Sequence, residues 1–306
     1  EICLHNYVFK RATENLVEGV VPVHECIVTD DKLLMIMAYY NGKDLFYYLS
    51  QSHSLIAVEV VKSIFQRLLT VVSLMHDNGV IHRDISCENI YYHFKEGNSC
   101  LDTCKRPKHE LDLIFDLGDF GMSTPLTETH LLNQTLGKPS YKCPELVASK
   151  MKSQGDWMSN DVWALGIVLY MLLMRSFPFG QASCSDITFH DRIVKENLVN
   201  RAIQELSRSC YRAYDKDYEE RIKGLQLVQR ILRLRASDRI SISELLGDSW
   251  LQDSRRSGSS EMFVSPVSCI AKLSDPVDCN LSAGGDSTTV TPSTSEPSNS
   301  THEAAQ

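Results

Sequence analysis

The sequence has little of what marks membrane, nucleic-acid-binding or secreted proteins. Its longest apolar run, residues 162–174, is too short to span a bilayer and predicts a buried helix instead. The formal net charge is −8 and the longest basic cluster covers only residues 105–108, so neither nucleic acid nor an anionic membrane is an expected partner. The first residues include no initiator Met and no charged-then-apolar leader, from which we expect a start inside a longer protein and no signal peptide.

Cysteines at metal-site spacing are also missing, although the chain has 10 Cys residues. The one close pair, Cys100 and Cys104, has no further Cys or His at the spacing of a zinc site. We therefore expect reduced thiols and an intracellular, cytoplasmic location. The 306 residues are 43% hydrophobic, which is enough for one large core or two smaller ones.

The stretch from residue 81 to residue 89 collects side chains that can carry chemistry. His82, Arg83 and Asp84 are followed, after four residues, by Asn89. This pattern resembles the catalytic loop of eukaryotic protein kinases, which implies that Asp84 orients a substrate hydroxyl and accepts its proton while Asn89 holds magnesium. Taken alone, the same residue types are common in polar surface loops.

Further motifs follow in the order that the kinase family has them. Asp119 opens an Asp-Phe-Gly motif, whose carboxylate is a magnesium ligand by this resemblance, and Glu145 ends a Cys-Pro-Glu where kinases have Ala-Pro-Glu. Arg239 stands where the family has the Arg that pairs with this Glu. Residues 161–166 and 177–180 resemble segments of the large lobe, the second that of calmodulin-dependent-type kinases. Each motif is weak alone, but their shared order is strong support.

The resemblance covers residues 1–251 and implies an α+β, two-lobed protein-kinase fold with an incomplete small β lobe and a large, mainly helical lobe. We expect the partial small lobe at residues 1–40 and the large lobe at residues 41–252. His5 falls where the family's hydrophobic spine has Leu or Met. Residues 253–306 are rich in Ser, Thr, Pro and Gly with few aromatics, a composition that predicts a disordered tail.

The same register implies an ATP site between the lobes. Met37 takes the gatekeeper position, and Ala38 to Tyr40 form the hinge, an extended segment whose backbone N–H and C=O groups can pair with adenine. Asp44 would hydrogen-bond the ribose, although an acid at the start of a helix explains its position nearly as well. Tyr91 falls where the family usually has an aliphatic residue in the floor of the adenine pocket.

Two departures from the family pattern have one common explanation. Most Ser/Thr kinases have Lys two residues after the catalytic Asp, and this chain has Ser86 at that position. Most also have a Thr in the activation segment, at the position where this chain has Lys138. We expect the two side chains to meet, so that Lys138 reaches Asp84 and the γ-phosphate while Ser86 accepts its hydrogen bond. The alternative is two independent losses in a kinase without activity, because a neutral hydroxyl cannot offset the charge of a transferring phosphate.

The activation segment, residues 119–145, is rich in Ser and Thr. In kinases of this type the Arg before the catalytic Asp, here Arg83, pairs with a phosphate on this segment and orders it. Thr135, Thr129 and Thr127 are the candidate acceptors for an upstream activating kinase. Each of them is also explained as an unmodified loop residue.

The resemblance as a whole implies a protein kinase that transfers the γ-phosphoryl group of ATP, bound with Mg²⁺, to Ser or Thr hydroxyls of protein substrates. The glycine-rich loop and the strand Lys that would pair with Glu1 are not in the sequence, so we expect low activity of this chain by itself. Two alternatives stay open: a pseudokinase or scaffold that binds partners on the same fold, and a small-molecule kinase of related fold.

Overall fold

The computed structural model describes residues 2–51, 54–94, 113–128, 136–151, 154–208 and 217–252. The predicted tail, residues 253–306, lies outside these ranges. All described residues fall within one contact unit, Glu1–Ser259, so the predicted lobe boundary at residue 40 stays a prediction.

The amino-terminal elements are a helix and a two-stranded antiparallel sheet. Helix α1 (Ile2–Glu14) buries residues that lie three and four positions apart and therefore share one face. Strands β1 (Val23–Val28) and β2 (Leu33–Met37) pair around a turn at residues 29–32. These elements lie within residues 1–40, where the resemblance implies the partial small lobe.

The large lobe begins with helices α2 (Leu45–Gln51) and α3 (Val58–Asp77). Helix α3 carries an apolar residue at every third or fourth position, which predicts one buried face. All of these positions are buried: Val61, Ile64, Phe65, Leu68, Val72 and Met75. The helix ends at Asp77, as the Asn-Gly pair after it predicts, and it delivers the chain into the catalytic loop.

Four short strands bring the chemistry-bearing segments together. Strand β3 (Val80–Ile81) pairs with β6 (Thr124–Pro125), and β4 (Ile90–Phe94) pairs with β5 (Leu113–Leu117), both antiparallel. The loop at residues 82–89 therefore starts at one sheet and ends at the other, and the Asp-Phe-Gly motif runs between the same two sheets. Two segments that are far apart in the sequence are held side by side.

Helix α5 (Gln154–Met174) forms the centre of the large lobe. Residues 160–173 are all buried, and a helix that is buried on every side belongs to the core. The other helices of the lobe are α4 (Pro144–Val147), α6 (Ile187–Phe189), which continues as a π-helical turn (His190–Val194), α7 (Leu198–Arg208), α8 (Tyr218–Ile231), α9 (Ile242–Leu246) and α10 (Ser249–Gln252).

Among the described residues, α5 contains one stretch, Gly155–Met174, that is long and apolar enough to cross a membrane. In the fold, 89% of that window is buried inside the protein, as in the core helix of a globular protein. The prediction of a buried helix is confirmed. The prediction that this segment is too short to span a bilayer was wrong. The helix contains more polar residues before residue 162, and together with the apolar run they make a window of sufficient length.

An ion pair joins the segment after the activation loop to the end of the large lobe. Arg239 Nη2 lies 2.7 Å from both carboxylate oxygens of Glu145, and Nη1 donates to Ser159 Oγ at 2.9 Å. The guanidinium also lies over the Trp163 ring, 4.8 Å from its centroid. The predicted pairing is confirmed, and because the Arg239 side chain is only 2% exposed, loss of its partner would leave a buried charge.

We expect Glu145→Gln to lower the free energy of unfolding by about 2–3 kcal/mol, because the amide accepts a hydrogen bond but no longer balances the buried charge. Glu196→Gln is the matched control, since Glu196 forms a more exposed ion pair with Arg233 at 2.7 Å. That change should cost about 0–1 kcal/mol. Urea titration at neutral pH measures both values, and equal costs would contradict the assigned importance of the Glu145 pair.

Candidate active site

A carboxylate of α5 fixes the backbone of the catalytic loop. The oxygens of Asp161 accept the N–H groups of His82 and Arg83 at 2.8 and 2.9 Å, and His76 Nε2 lies 3.0 Å from one of them. Burial alone would raise the pKa of Asp161, but the hydrogen bonds and charges of His76 and His82 outweigh it and hold that pKa below its usual value. The ionised carboxylate thereby supports the left-handed turn at Arg83, where φ is 70°.

Asp84 is held from two sides. Asn89 Nδ2 donates to the main-chain oxygen and to Oδ2 of Asp84, both at 2.8 Å. From the activation segment, the Lys138 N–H donates to Asp84 Oδ1 at 3.2 Å. This close approach requires Gly137, since its φ is +93° and a Cβ there would lie 2.7 Å from the Arg83 oxygen. The carboxylate therefore has a fixed orientation.

The Lys138 ammonium is the centre of this group of side chains. Nζ lies 2.7 Å from Ser86 Oγ, 3.1 Å from Asp84 Oδ2 and 3.2 Å from Asn89 Oδ1. An ammonium has three donors, and here three oxygens surround it. The Ser86 and Lys138 side chains thus meet in space, as expected if the two residue types are exchanged between the two positions.

Asp119 lies two residues after the end of β5, beside the catalytic loop. The N–H of Gly118 donates to the main-chain oxygen of Asn89 at 2.9 Å, which joins the Asp-Phe-Gly motif to the loop. Asp119 is exposed, and its left-handed backbone (φ 56°) is supported by a hydrogen bond from the Gly121 N–H to Oδ1 at 3.3 Å. Carboxylate and amide oxygens suit Mg²⁺, which usually takes one or two carboxylates and completes its shell with water and phosphate. Asp119 and Asn89 fit that requirement.

Phe120 of the motif is buried between two histidine rings. Its ring stacks on His5 of α1, with ring centroids 4.4 Å apart. The centroid of the His82 ring lies 5.0 Å from that of Phe120, and the two ring planes are tilted by 51°. His5 donates from Nε2 to the Val21 oxygen at 2.9 Å, while Nδ1 has no hydrogen-bond partner among the described residues. Burial lowers the pKa of both His5 and His82, which favours the neutral form of each ring. His5 thus contacts the Phe of the Asp-Phe-Gly motif, and its assignment to the spine stays a prediction.

The residues predicted to bind the nucleotide lie at the end of β2, between β2 and α2, and on β4. Met37 ends β2 with its side chain 42% exposed, and the Ala38 N–H donates to the Pro22 oxygen at 3.0 Å. Asp44 Oδ1 accepts the N–H of Tyr47 at 2.7 Å and so caps α2, which is the alternative explanation of this acid.

Tyr91 lies next to the Asp-Phe-Gly motif, because a Cβ added at Gly118 would meet its ring at 2.9 Å. Tyr40 directs its side chain toward strand β5, where its hydroxyl donates to Asp116. Its ring also lies 6.0 Å from that of Tyr91. The side chains of Tyr40 and Tyr91 are therefore neighbours, as a shared pocket requires.

The phosphate-binding role expected of Arg83 stays a prediction. Arg83 Nη1 donates to Thr124 Oγ1 at 3.0 Å, and the guanidinium lies 5.0 Å from the centroid of the Trp157 ring. Of the candidate phosphate acceptors, Thr127 is exposed, whereas Thr129 and Thr135 lie outside the described residues.

Comparison with known proteins agrees with this geometry. Residues 9–251 match the family model described as the protein kinase domain. The chain belongs to the protein kinase family. The expected eukaryotic Ser/Thr type and the α+β kinase fold are confirmed by this match and by the relatives of the kinase domain.

Three relatives illustrate the similarity of this kinase domain. Serine/threonine-protein kinase cds1 of Schizosaccharomyces pombe is 30% identical over 238 residues, which are 76% of this chain and 44% of that protein. The carbon catabolite-derepressing protein kinase of Candida glabrata is 26% identical over 233 residues, 76% of this chain and 32% of that protein. CBL-interacting serine/threonine-protein kinase 9 of Arabidopsis thaliana is 28% identical over 234 residues, 76% of this chain and 44% of that protein. The chain therefore spans less than half the length of these curated relatives.

The ion pair between Arg67 on α3 and Asp116 on β5 was not predicted from the sequence. Asp116 and Arg67 are joined at 2.7 Å, and Asp116 is buried in a strand of otherwise apolar character. The only signal in the sequence was an Asp among Leu, Ile and Phe at residues 113–117. Such an acid needs a partner, but the sequence does not say which of the distant cations supplies it.

Because two of its histidines are buried, we predict that this kinase domain loses stability in mild acid. Burial lowers the pKa of His5 below 6.5, so below that pH the unfolded chain takes up a proton that the folded chain refuses. The free energy of unfolding should therefore fall as the pH drops from about 7.5 to about 5.5, by up to about 1.4 kcal/mol per pH unit for each such group.

We expect His5→Phe to flatten this pH dependence, because it keeps the stack on Phe120 and removes one titrating ring. His24→Phe, on the exposed face of β1, is the matched control and should leave the slope as it was. Urea unfolding at several pH values gives the slopes. An identical slope for His5→Phe and the unchanged chain would show that His5 does not titrate differently on folding.

Proposed function

We propose that the chain carries the catalytic machinery of a protein kinase that transfers the γ-phosphoryl group of ATP to Ser or Thr hydroxyls of protein substrates. The observation that carries the proposal is the contact of Lys138 with Asp84, Ser86 and Asn89 at 2.7–3.2 Å. It places a cation beside the carboxylate that must receive the substrate hydroxyl. The names of the relatives, which are Ser/Thr protein kinases, support the same activity.

Asp84 acts on the substrate hydroxyl. Its Oδ2 accepts from Asn89 and Lys138, and its Oδ1 accepts from the Lys138 N–H. A carboxylate oxygen has two acceptor positions, so the second position on Oδ1 can accept the Ser or Thr hydroxyl. Asp84 thereby orients the hydroxyl toward the γ-phosphorus and takes its proton as the new P–O bond forms, while the P–O bond to ADP breaks and ADP leaves.

Lys138 supplies positive charge next to the transferring group. Its side chain is 34% exposed, so it can contact a phosphate oxygen without losing its position between Ser86 and Asp84. When bound, Mg²⁺ with ATP supplies the phosphoryl group and offsets the charge on its oxygens, and Asn89 and Asp119 would hold the metal. A fixed ammonium is effective here because charge stabilisation is the largest contribution to phosphoryl transfer.

The nucleotide would lie against the hinge. Ala38 and Tyr40 contribute backbone groups for adenine, and Met37 borders the base as gatekeeper. Tyr91 contributes an aromatic floor, which favours stacking on a purine over the purely apolar contact of an aliphatic residue. Asp44 reaches the ribose with the carboxylate oxygen that does not cap α2.

The alternatives have no specific observation in their favour. A pseudokinase was suggested by the departures at residues 86 and 138, and these two side chains are in contact with each other and with Asp84. A small-molecule kinase would not need the Cys-Pro-Glu segment, whose Glu145 is held by Arg239. We also propose protein substrates, an upstream kinase acting on Thr127, Thr129 or Thr135, and a cytoplasmic location.

The first test is Asp84→Asn in the longest native form of the protein that carries this chain. We expect kcat for a generic Ser/Thr peptide to fall by about 10²–10⁴, because an amide cannot accept the hydroxyl proton. Asp30→Asn, in the exposed turn between β1 and β2, is the control and should keep full activity. Equal phosphorylation by Asp84→Asn and the unchanged protein would favour a scaffold.

The second test separates a working exchange from two losses. Lys138→Met should lower kcat by about 10²–10³, whereas Lys150→Met, on the exposed segment after α4, should not. The double change Ser86→Lys with Lys138→Thr restores the usual family arrangement and should recover most of the loss. Unchanged turnover of Lys138→Met, or a double variant no better than Lys138→Met, would contradict the role of Lys138.

A further inference from the structure

A buried carboxylate behind the hinge has partners from separate parts of the chain. Asp116 on β5 is 4% exposed. Its Oδ1 accepts from Nε and Nη2 of Arg67 on α3, at 3.1 and 2.7 Å, and its Oδ2 accepts from the Tyr40 hydroxyl at 2.5 Å. We call Tyr40, Asp116, Arg67 and Glu18 the hinge brace, because the first of them belongs to the hinge.

The hinge brace continues to the segment after α1. Arg67 Nη1 donates to Glu18 Oε2 at 2.7 Å, so one guanidinium joins two carboxylates. The neighbouring Gly19 makes this approach possible, since its φ is +118° and a Cβ there would lie 2.9 Å from Arg67 Cγ. The Gly19 oxygen in turn accepts the N–H of Leu117 at 2.6 Å. The brace therefore joins α3, β5, the hinge and the segment after α1.

The partners of Asp116 favour its ionised form. Burial alone would raise the pKa of Asp116, but His93, Arg67 and Tyr40 outweigh it and hold that pKa below its usual value. His93 Nε2 lies 3.6 Å from Asp116 Oδ2, on the same side as the Tyr40 hydroxyl. The Tyr40 hydroxyl thus donates to an ionised acceptor, which makes a stronger hydrogen bond than a neutral one.

The ring of Tyr40 is also fixed by its neighbours. Its centroid lies 5.0 Å from the His93 ring in an edge-on arrangement and 6.0 Å from the Tyr91 ring. Tyr39, the preceding residue, is 90% exposed and makes no comparable contact among the described residues. Of two adjacent hinge tyrosines, one is therefore tied to the large lobe and the other is not.

We propose that Tyr40 is a positioning residue for ATP, and that the hinge brace holds the hinge backbone in the conformation that receives adenine. This inference rests on the proposed function, because it assumes that adenine pairs with the hinge. A hinge held in advance loses less conformational freedom when the nucleotide binds. The hydrogen bonds described for Asp84 and Lys138 involve no member of the brace, so the brace should govern nucleotide affinity and leave the chemical step alone.

The test is Tyr40→Phe, which removes only the hydroxyl. In the longest native form of the protein we expect KM for ATP and the Kd of Mg–ATP to rise about tenfold, the usual cost of a lost hydrogen bond to a charged group. At saturating ATP, kcat should equal that of the unchanged protein, and so should KM for the peptide. Tyr7→Phe on α1 is the matched control, because it removes an exposed hydroxyl outside the hinge and should leave the Kd of Mg–ATP unchanged.

A second variant tests whether Tyr40 acts through Asp116. Asp116→Asn keeps an acceptor but removes the charge, so it should also raise the Kd of Mg–ATP. Adding Tyr40→Phe to Asp116→Asn should raise this Kd by a smaller factor than Tyr40→Phe does in the unchanged protein. Thermal unfolding of each variant controls for loss of folded protein.

Three results would overturn the inference, and they differ in what else they overturn. If Tyr40→Phe leaves the Kd of Mg–ATP unchanged, the role assigned to the hinge brace is contradicted, but the proposed kinase activity is not. If Tyr40→Phe lowers kcat and raises the KM for the peptide as much as the KM for ATP, Tyr40 has a general structural role and does not position ATP. An unchanged protein that neither binds Mg–ATP nor phosphorylates any peptide would overturn the proposed function together with the inference.

Discussion

Two backbone N–H groups, held by the buried carboxylate of Asp161, are the constraint on which the active site depends. They belong to His82 and Arg83, and they fix the loop just before Asp84. Because Asp161 lies on the core helix α5, the position of the loop is set by the packing of the whole large lobe. The loop cannot hold its left-handed turn at Arg83 by local preference, since such a backbone is unfavourable for a side chain other than glycine.

The exchange between residues 86 and 138 follows from the nature of electrostatic stabilisation. The attraction between a cation and a phosphate depends on distance and on the surrounding dielectric, and not on which segment of the chain carries the cation. Under the proposed function, Lys138 supplies this cation from the activation segment, where its ammonium contacts Asp84 and Asn89.

The elements of the fold were predictable where one pattern of spacing decides them. The buried face of α3, the helical character of residues 162–174 and the pairing of Glu145 with Arg239 were all anticipated. The hinge brace was not, because its members lie far apart and share no spacing. The local role of Asp44 stayed open for a similar reason, since an N-cap and a ribose contact require the same residue type at the same position.

By itself, the sequence determined the family, the order of the catalytic motifs and the residue types available to the site, because these depend on local chemistry and on spacing along the chain. Only the tertiary structure decided that the Lys138 ammonium meets Ser86 and Asp84, and that Tyr40 turns its hydroxyl toward Asp116. The physical reason is that hydrogen bonds and charge pairs act over a few ångströms. Which distant side chains come within that range is settled by the packing of helices and strands around a common core.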